Sequence, residues 1–272
     1  MVDGAWILLL LIIVGISAYY VWPYYRLRQV MAAPFPSEWR AIIRRNVPTY
    51  RYLPTDLQHQ LQRLVKQFIY QKEFTGCNGL VITDEIKVTI AASACLLLLN
   101  RKTDVFGGLR YILVYPSAFS VPRESADEAG LHQSYPAHLL GESWANGKVI
   151  LSWEDVLKGN QDRHDGMNLV LHEFAHQLDS EAGANNGAPV LGSKKRYQRW
   201  ATVFQREFEA LRQAAFQGDE TLLDYYGATN PAEFFAVVTE VFFEQPQAMQ
   251  QRHPELFGEL KHYYKVDPRE WD

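Results

Sequence analysis

The residues best suited to chemistry form the run His172-Glu173-Phe174-Ala175-His176. On an α-helix, residues four apart lie about 40° apart around the axis and one turn along it, so both imidazoles can reach one metal ion. Glu173 lies about 100° round from His172, where its carboxylate can meet a water molecule on that metal. Zinc lowers the pKa of such a water to about 7, and a nearby carboxylate can take its proton during attack on a carbonyl. The pattern therefore predicts a hydrolytic zinc site.

The alternative is a surface helix that carries two histidines by accident, because five-residue motifs recur by chance. The neighbouring residues argue against this alternative. They are mostly apolar and predict a largely buried helix: Leu169, Val170, Leu171, Phe174, Ala175 and Leu178. Two buried histidines without partners are costly, so we expect a metal at this helix.

A catalytic zinc ion usually has three protein ligands and one water, so a third ligand is needed. Asp179 lies three residues after His176 and could face the same side of the helix. A carboxylate this close is better suited to accept a hydrogen bond from the free N–H of a histidine. A solvated carboxylate near the end of the helix is the alternative for Asp179.

A better candidate for the third ligand lies in a second apolar helix. Asn230 as N-cap and Pro231 as the first helical residue predict a helix that continues through Phe243. Glu233 and Glu240 fall on one face of this helix, about 10 Å apart, and a carboxylate in an apolar helix needs a partner. Zinc and its histidines would provide that partner. A capping box is the alternative for Glu233, but it would leave Glu240 unexplained.

Several segments together resemble one protein family. They are HEFAHQLD at 172–179, NNGAP at 185–189, YYGATNPAEFFAVVTEVFFE at 225–244, GLVITDEIKVTIAASACLLLL at 79–99, LVYPSAF at 113–119 and GKVILSWEDVLKG at 147–159. The chain is similar in these motifs to the MtfA (Mlc titration factor A) family. Its members are bacterial zinc peptidases of the glutamate-liganded zincin type, distantly similar to the protease domain of lethal factor. The likeness covers about residues 35–270.

The resemblance implies roles for five residues. His172, His176 and Glu233 would bind one zinc ion, and Glu173 would be the general base. Tyr226 stands where these enzymes have a tyrosine that helps to stabilise the oxyanion, and a phenol donor suits a developing tetrahedral charge. A packed loop aromatic is the alternative for Tyr226, because the chain has 15 tyrosines.

Three functions are compatible with these residues. The first is a zinc metallopeptidase that hydrolyses peptide bonds, and the presence of Glu173 beside an open coordination position favours it. The second is a regulatory protein with structural zinc that sequesters a repressor-like partner, as the family name records. The third is a hydrolase of non-peptide amides.

Composition limits the class of protein. A chain of 272 residues with 47% hydrophobic and 21% charged residues is typical of a globular protein with one large domain or two small ones. The net charge of −4 and the pI near 6.1 give no sign of direct nucleic-acid binding. The two cysteines, Cys77 and Cys95, suit no zinc-ribbon spacing and are expected to be reduced packing residues.

The N-terminus differs from the rest. Residues 5–22 carry no charge and are just long enough to span a bilayer, with aromatic residues near both ends. A cleaved secretory signal would need positive charge before the apolar segment, whereas Asp3 precedes it and arginines follow it: Arg26, Arg28, Arg40, Arg44 and Arg45. This asymmetry predicts a single-pass anchor in the cytoplasmic (inner) membrane, with the catalytic domain on the cytoplasmic side. A cleaved signal and a buried helix are the alternatives.

The remaining pattern predicts a mainly helical α+β protein. Helices are expected at 55–72, after Thr83, at 194–216 and twice after Pro246, and strands at 111–115 and 148–153. By resemblance, Val149–Trp153 would bind extended substrate by β-augmentation, and an ordinary sheet strand is the equal alternative. The polar segment 122–144, with His132 and His138, is expected to form a loop near the cleft. We therefore predict a membrane anchor over 1–30 and a zincin-like metallopeptidase domain with a small sheet over 31–272.

Overall fold

A computed structural model of the chain describes residues 4–117, 147–181, 183 and 185–271, so the segment 122–144 with His132 and His138 lies outside the described residues. The described part contains ten α-helices, three β-strands and three short 3-10 helices. In chain order the helices and strands are α1 Gly4–Ala32, α2 Ser37–Asn46, α3 Thr55–Gln71, β1 Glu73–Gly76, α4 Asp84–Leu96, β2 Tyr111–Tyr115, β3 Lys148–Ser152, α5 Trp153–Gln161, α6 Leu169–Ser180, α7 Lys194–Gln217, α8 Pro231–Glu244, α9 Pro246–Arg252 and α10 Pro254–Tyr264. The 3-10 helices are Pro48–Arg51, Tyr225–Ala228 and Pro268–Trp271.

The three strands form one parallel sheet in the order β1-β2-β3, in which Tyr111 pairs with both Glu73 and Lys148. Strands β2 and β3 confirm the prediction from sequence. Trp153, predicted as the last residue of β3, instead begins α5, because Ser152 accepts the N–H of Asp155 as an N-cap. Strand β1 was not predicted, since four residues are too few to display a period of two. Together these elements confirm a mainly helical chain with a small sheet.

The helices α6 and α8 begin where polar caps satisfy their first N–H groups. Asn168 accepts the N–H of Leu171 at the start of α6, and Asn230 accepts those of Ala232 and Glu233 at the start of α8. These bonds replace the intrahelical partners that the first turn lacks. The predicted start of α8 at Asn230 is thereby confirmed.

Aromatic packing fixes α6 within the core. The ring of Phe174 lies 5.6 Å from that of Phe68 on α3 and 4.8 Å from that of Phe106, measured between centroids. All three side chains are fully buried. Burying rings of this size contributes about 2–3 kcal/mol each, so the helix that carries the two histidines is held by the centre of the core.

The N-terminal helix α1 is the one helix among the described residues that is long and apolar enough to cross a membrane. Its segment Leu8–Ala32 has a mean hydropathy of 1.7 and is not buried against the rest of the chain. At its C-terminal end the Lys66 ammonium donates hydrogen bonds to the backbone carbonyls of Met31 and Ala33. A lysine at this position satisfies carbonyls that the end of a helix leaves without partners, and it joins α1 to α3.

Candidate metal centre

Two histidines and one glutamate converge between α6 and α8. His172 and His176 stand one turn apart on α6, and their Nε2 atoms are 3.2 Å apart. One carboxylate oxygen of Glu233, Oε2, lies 3.0 Å from Nε2 of His172 and 3.2 Å from Nε2 of His176. His176 is fully buried and Glu233 is only 8% exposed. Three lone-pair atoms thus form a small triangle in a site with little access to water.

The triangle has the dimensions of a metal site. Tetrahedral ligands at the usual zinc distances of about 2.0–2.2 Å lie about 3.3–3.5 Å from one another. The observed separations of 3.0–3.2 Å are slightly shorter than that. Two imidazoles and a carboxylate are a donor set that zinc accepts, and three protein ligands leave a fourth position for water. The residues present therefore fit a divalent cation.

The imidazole of His172 is oriented from its far side by Glu240. Its Nδ1 lies 2.7 Å from Oε1 of Glu240, and the other carboxylate oxygen accepts the backbone N–H of Asn168. When the Nδ1–H group donates a hydrogen bond to Glu240, the lone pair of the neutral ring is left on Nε2, facing Glu233 and His176. Glu240 therefore fixes both the tautomer and the direction of this ring.

Asn185, which begins the segment NNGAP at 185–189, is close enough to His176 to raise the pKa of its imidazole. Asp179 anchors this segment, because one of its carboxylate oxygens accepts the N–H of Gly187 at 2.7 Å. The carbonyl of Gly187 accepts the indole N–H of Trp200 at 2.9 Å. Asp179 thus bonds the loop backbone, whereas the sequence had suggested a histidine N–H as its partner. The alternative of a solvated carboxylate is wrong as well, since Asp179 is fully buried.

Gly187 is required for this loop to close. Its φ of +76° lies in the left-handed region, and a Cβ atom at this position would stand 2.3 Å from the carbonyl oxygen of Pro231. Only glycine allows both the backbone conformation and the close approach. The loop therefore presses directly on the first residue of α8, two residues before Glu233.

The ionisation of the site reflects burial and the short contacts. Burial raises the pKa of Glu233, but hydrogen bonds from both histidines outweigh it and bring the pKa to about 2. Burial lowers the pKa of His176 to about 4, so this ring is neutral at neutral pH. Burial also lowers the pKa of His172, but the nearby carboxylates, chiefly Glu240, raise it well above its usual value. The site favours positive charge in the triangle.

The two residues expected to act on substrate lie close to His172. Glu173 is fully buried on the same turn of α6, and its charge adds to the rise in the pKa of His172. The ring of Tyr226 lies 5.9 Å from the ring of His172, measured between centroids. Tyr226 belongs to the 3-10 helix before α8, where Asp224 caps its backbone N–H. His164 lies before α6 and is exposed.

Two residues of the site were missed from sequence. Asn168 was not singled out, although asparagine before an apolar run is a signal for an N-cap. Its side-chain amide donates to Glu244 and its backbone N–H donates to Glu240, so it joins the start of α6 to α8. Asn185 lies within the NNGAP motif, and nothing in its spacing indicates that it lies near His176.

Comparison with known proteins finds relatives along most of the chain. The family described as glucose-regulated metallo-peptidase M90 matches residues 22–265. An uncharacterized protein of Synechocystis sp. is 40% identical over 267 residues, which are 96% of this chain and 97% of the relative. A protein named Mlc titration factor A from Serratia proteamaculans is 35% identical, covering 79% of this chain and 83% of the relative. One of the same name from Klebsiella pneumoniae is 32% identical, covering 82% and 84%.

Proposed function

This chain belongs to the glucose-regulated metallo-peptidase M90 family, and on that premise we propose that it is a zinc-dependent peptidase with its metal on His172, His176 and Glu233. The observation that carries the proposal is the buried triangle of two imidazole nitrogens and one carboxylate oxygen, 3.0–3.2 Å apart. The resemblance to the MtfA family is confirmed by the relatives named Mlc titration factor A. The family assignment and the geometry of the triangle are independent of each other, and both favour metal-dependent hydrolysis.

In this proposal the residues around the triangle divide the work of hydrolysis. His172, His176 and Glu233 would hold a zinc ion, which would supply a Lewis acid for the scissile carbonyl and lower the pKa of water. Glu173 takes the proton of the attacking water and delivers it to the leaving amine as the C–N bond breaks. Tyr226 donates a hydrogen bond to the oxygen on which negative charge develops. Glu240 and Asn185 hold the two imidazoles in the tautomer that offers Nε2 to the metal.

We propose that an extended substrate binds along β3, which lies at the edge of the sheet in the described part of the chain. Backbone N–H and C=O groups on the free side of an edge strand can pair with an added peptide. The strand leads through Ser152 into α5, and this arrangement of a short sheet beside the HExxH helix supports a zincin-like domain over 31–272. Residues 1–30 are the anchor in this proposal.

The membrane side follows from charge. Arg26 and Arg28 close the apolar segment of α1, whereas Asp3 precedes it. Because positive residues are retained on the cytoplasmic side, we propose that α1 is a single-pass anchor in the inner membrane with the peptidase domain in the cytoplasm. The segment before residue 22 lies outside the family match.

Two variants, Glu173→Gln and His176→Ala, test the proposed peptidase activity. Glu173→Gln should keep one zinc per chain and lose turnover by about 10²–10⁴-fold, the usual contribution of a general base. His176→Ala should lose both zinc and turnover. Metal content is measured by elemental analysis of purified full-length protein, and turnover on a peptide library. Wild-type turnover by Glu173→Gln would overturn the assignment of the base, and zinc retained by His176→Ala would overturn the site.

A second candidate function comes from the relatives. The name Mlc titration factor A describes those proteins as titrating Mlc. We propose as the alternative that this chain captures a repressor-like protein and holds its metal for structure. A pull-down with Glu173→Gln and His176→Ala tests this alternative. Capture that depends on structural zinc should survive in Glu173→Gln, which keeps the metal, and be lost in His176→Ala, which does not. Loss of capture in Glu173→Gln, or capture retained in His176→Ala, would overturn it.

A further inference from the structure

A cavity of about 1030 Å³ lies at the C-terminal end of α6. Residues 101–104 and 106–109 form one wall. The side chains that carry the argument below come from the rest of the lining: Gln177, Glu181, Asn185, Arg196 and Tyr263. Sites that hold small molecules usually enclose about 300–1,000 Å³, so this cavity is large enough for a ligand. None of the metal-binding candidates lines it.

Three side chains that line this cavity carry buried nitrogen atoms that have no hydrogen-bond partner among the described residues. They are Nη1 of Arg101, Nε2 of Gln177 and Nη2 of Arg196. An arginine can only donate hydrogen bonds, so the two guanidinium groups set the polarity of the site. A buried donor left without an acceptor costs about 1–3 kcal/mol, and an acceptor-rich group placed here would remove that cost.

The charged side chains of the cavity also favour an anionic ligand. Four cationic side chains line it, and two carboxylates, Asp104 and Glu181, oppose them. Within the described ranges neither Arg101 nor Arg196 forms an ion pair shorter than 4.0 Å, although the field of Arg101 reaches Glu181. Desolvation by burial lowers the pKa of Arg196, and the field of Glu259, whose carboxylate pairs with Arg199, opposes this shift.

The ring of Tyr263 holds one of the arginines in place. The guanidinium carbon of Arg101 lies 4.3 Å from the centroid of this ring, which is a cation–π contact. Tyr263 also contributes to the electrostatic environment of Arg196. A planar guanidinium held in one orientation suits two-pronged binding of a carboxylate or phosphate.

The cavity is also next to the metal centre. Gln177 follows His176 in the chain and stands one turn after Glu173 on the same face of α6. Asn185 lines the cavity and is close enough to His176 to raise its pKa. A group bound here would therefore touch two residues that adjoin the candidate metal ligands.

We propose that this cavity is an oxyanion-binding site in which Arg101, Arg196 and Gln177 receive a carboxylate or phosphate group. The proposal goes beyond the peptidase function and does not require it, because its three donors are distinct from the metal ligands and the base. The oxyanion has two sources: the carboxylate of a bound peptide, or a free small anion. Both present the same acceptors to the arginines, and the choice of probes separates them.

The test is calorimetric titration of the full-length protein in an uncharged detergent with three probes. These are inorganic phosphate, acetyl-trialanine with a free C-terminal carboxylate, and the same peptide as its C-terminal amide. Titrations in the Glu173→Gln background prevent hydrolysis from contributing heat. At least one anionic probe should bind, the amide should not, and Arg101→Gln and Arg196→Gln should each weaken binding about 10-fold or more, since each removes charge-assisted hydrogen bonds.

The matched control is Lys195→Gln, which removes the same charge from the same turn of α7, at an exposed side chain outside the cavity. It should leave the affinity unchanged. Binding of the peptide carboxylate identifies a substrate group as the ligand, and binding of phosphate alone identifies a free anion. If Arg101→Gln melts early because its stacking on Tyr263 is lost, Arg196→Gln decides the matter. No binding of either anionic probe, or equal binding by wild type and Arg196→Gln, would overturn the proposal.

Discussion

Replacing Glu240 by glutamine tests how the candidate metal centre is held in place. The two carboxylate oxygens of Glu240 accept two donors, Nδ1 of His172 at 2.7 Å and the backbone N–H of Asn168. A glutamine has one oxygen and one NH₂ group, so it can accept only one of these bonds and must place a donor against the other. The side chain is 8% exposed, so bulk water has little access to replace the lost bond.

The size of the effect follows from those bonds. Groups that orient a metal-bound histidine typically contribute about 10- to 100-fold to metal affinity, which corresponds to about 1.4–2.7 kcal/mol. This range agrees with the loss of one buried hydrogen bond to a charged group, about 1.5–3 kcal/mol. We therefore expect Glu240→Gln to bind zinc about 10- to 100-fold more weakly, measured by competition with a chelator of known affinity.

Glu244→Gln is the matched control. Glu244 stands one turn further along α8, is 5% exposed and also bonds Asn168, with Nδ2 of the asparagine 3.0 Å from Oε1. Burial raises the pKa of Glu244 to about 9, so it carries a proton at pH 7 and its replacement by glutamine changes no charge there. Its zinc affinity should equal that of wild type. Equal affinity of Glu240→Gln and wild type, or an equal loss in both variants, would refute the orienting role of the Glu240 hydrogen bond.

Three further predictions concern stability and metal. Because folded Glu244 holds its proton up to pH about 9 and the unfolded chain releases it near 4.5, the free energy of unfolding should fall between these pH values by at most about 1.4 kcal/mol per unit from this group. Urea titrations at pH 5.5 and 8 should show that Glu244→Gln removes this fall, and equal pH dependence would contradict it. Gly187→Ala should lower the free energy of unfolding by about 3 kcal/mol or more, because its φ is positive and its Cβ would clash with the carbonyl of Pro231. Gly192→Ala, which has a similar φ but open space around it, should lower the free energy of unfolding by about 1 kcal/mol. Equal melting temperatures of the two variants would reject the steric argument. Chelation should lower the melting temperature of wild type and not that of Glu233→Ala, because a ligand that binds only the folded state stabilises it; an identical shift in both would place the metal elsewhere.

The convergence of the triangle could be predicted because it rests on regular structure. Two histidines four apart on a helix must share a face, and the cap Asn230 sets the phase of α8 so that Glu233 and Glu240 share another. Their mutual approach was inferred from burial, since carboxylates in an apolar helix need partners. These are local arguments, and local periodicity is what a sequence displays most directly.

The orienting contacts could not be predicted, because they depend on how loops fold back. Asp179 faces inward as its spacing implied, but the chain turns after it and brings the N–H of Gly187 to its carboxylate. The same turn brings Asn185 to His176. Spacing along a helix predicts the face on which a side chain lies. It does not predict which distant segment of the chain packs against that face. Strand β1 could not be predicted for a related reason. It is a strand because its backbone pairs with β2, and its own four residues show no pattern that predicts this pairing.

The buried charges around α6 and α8 give the strongest physical reason for a dication. Three carboxylates, those of Glu173, Glu233 and Glu240, lie in the site at 0%, 8% and 8% exposure. In the described part of the chain, the ion pairs of Glu233 and Glu240 are made with histidines alone. Burial keeps the pKa of His176 at about 4, so that ring supplies no charge at neutral pH, and His172 can supply only one. Burial raises the pKa of Glu240, which opposes its ionisation, so a divalent cation bound where the three lone pairs meet would favour the ionised carboxylates of the site.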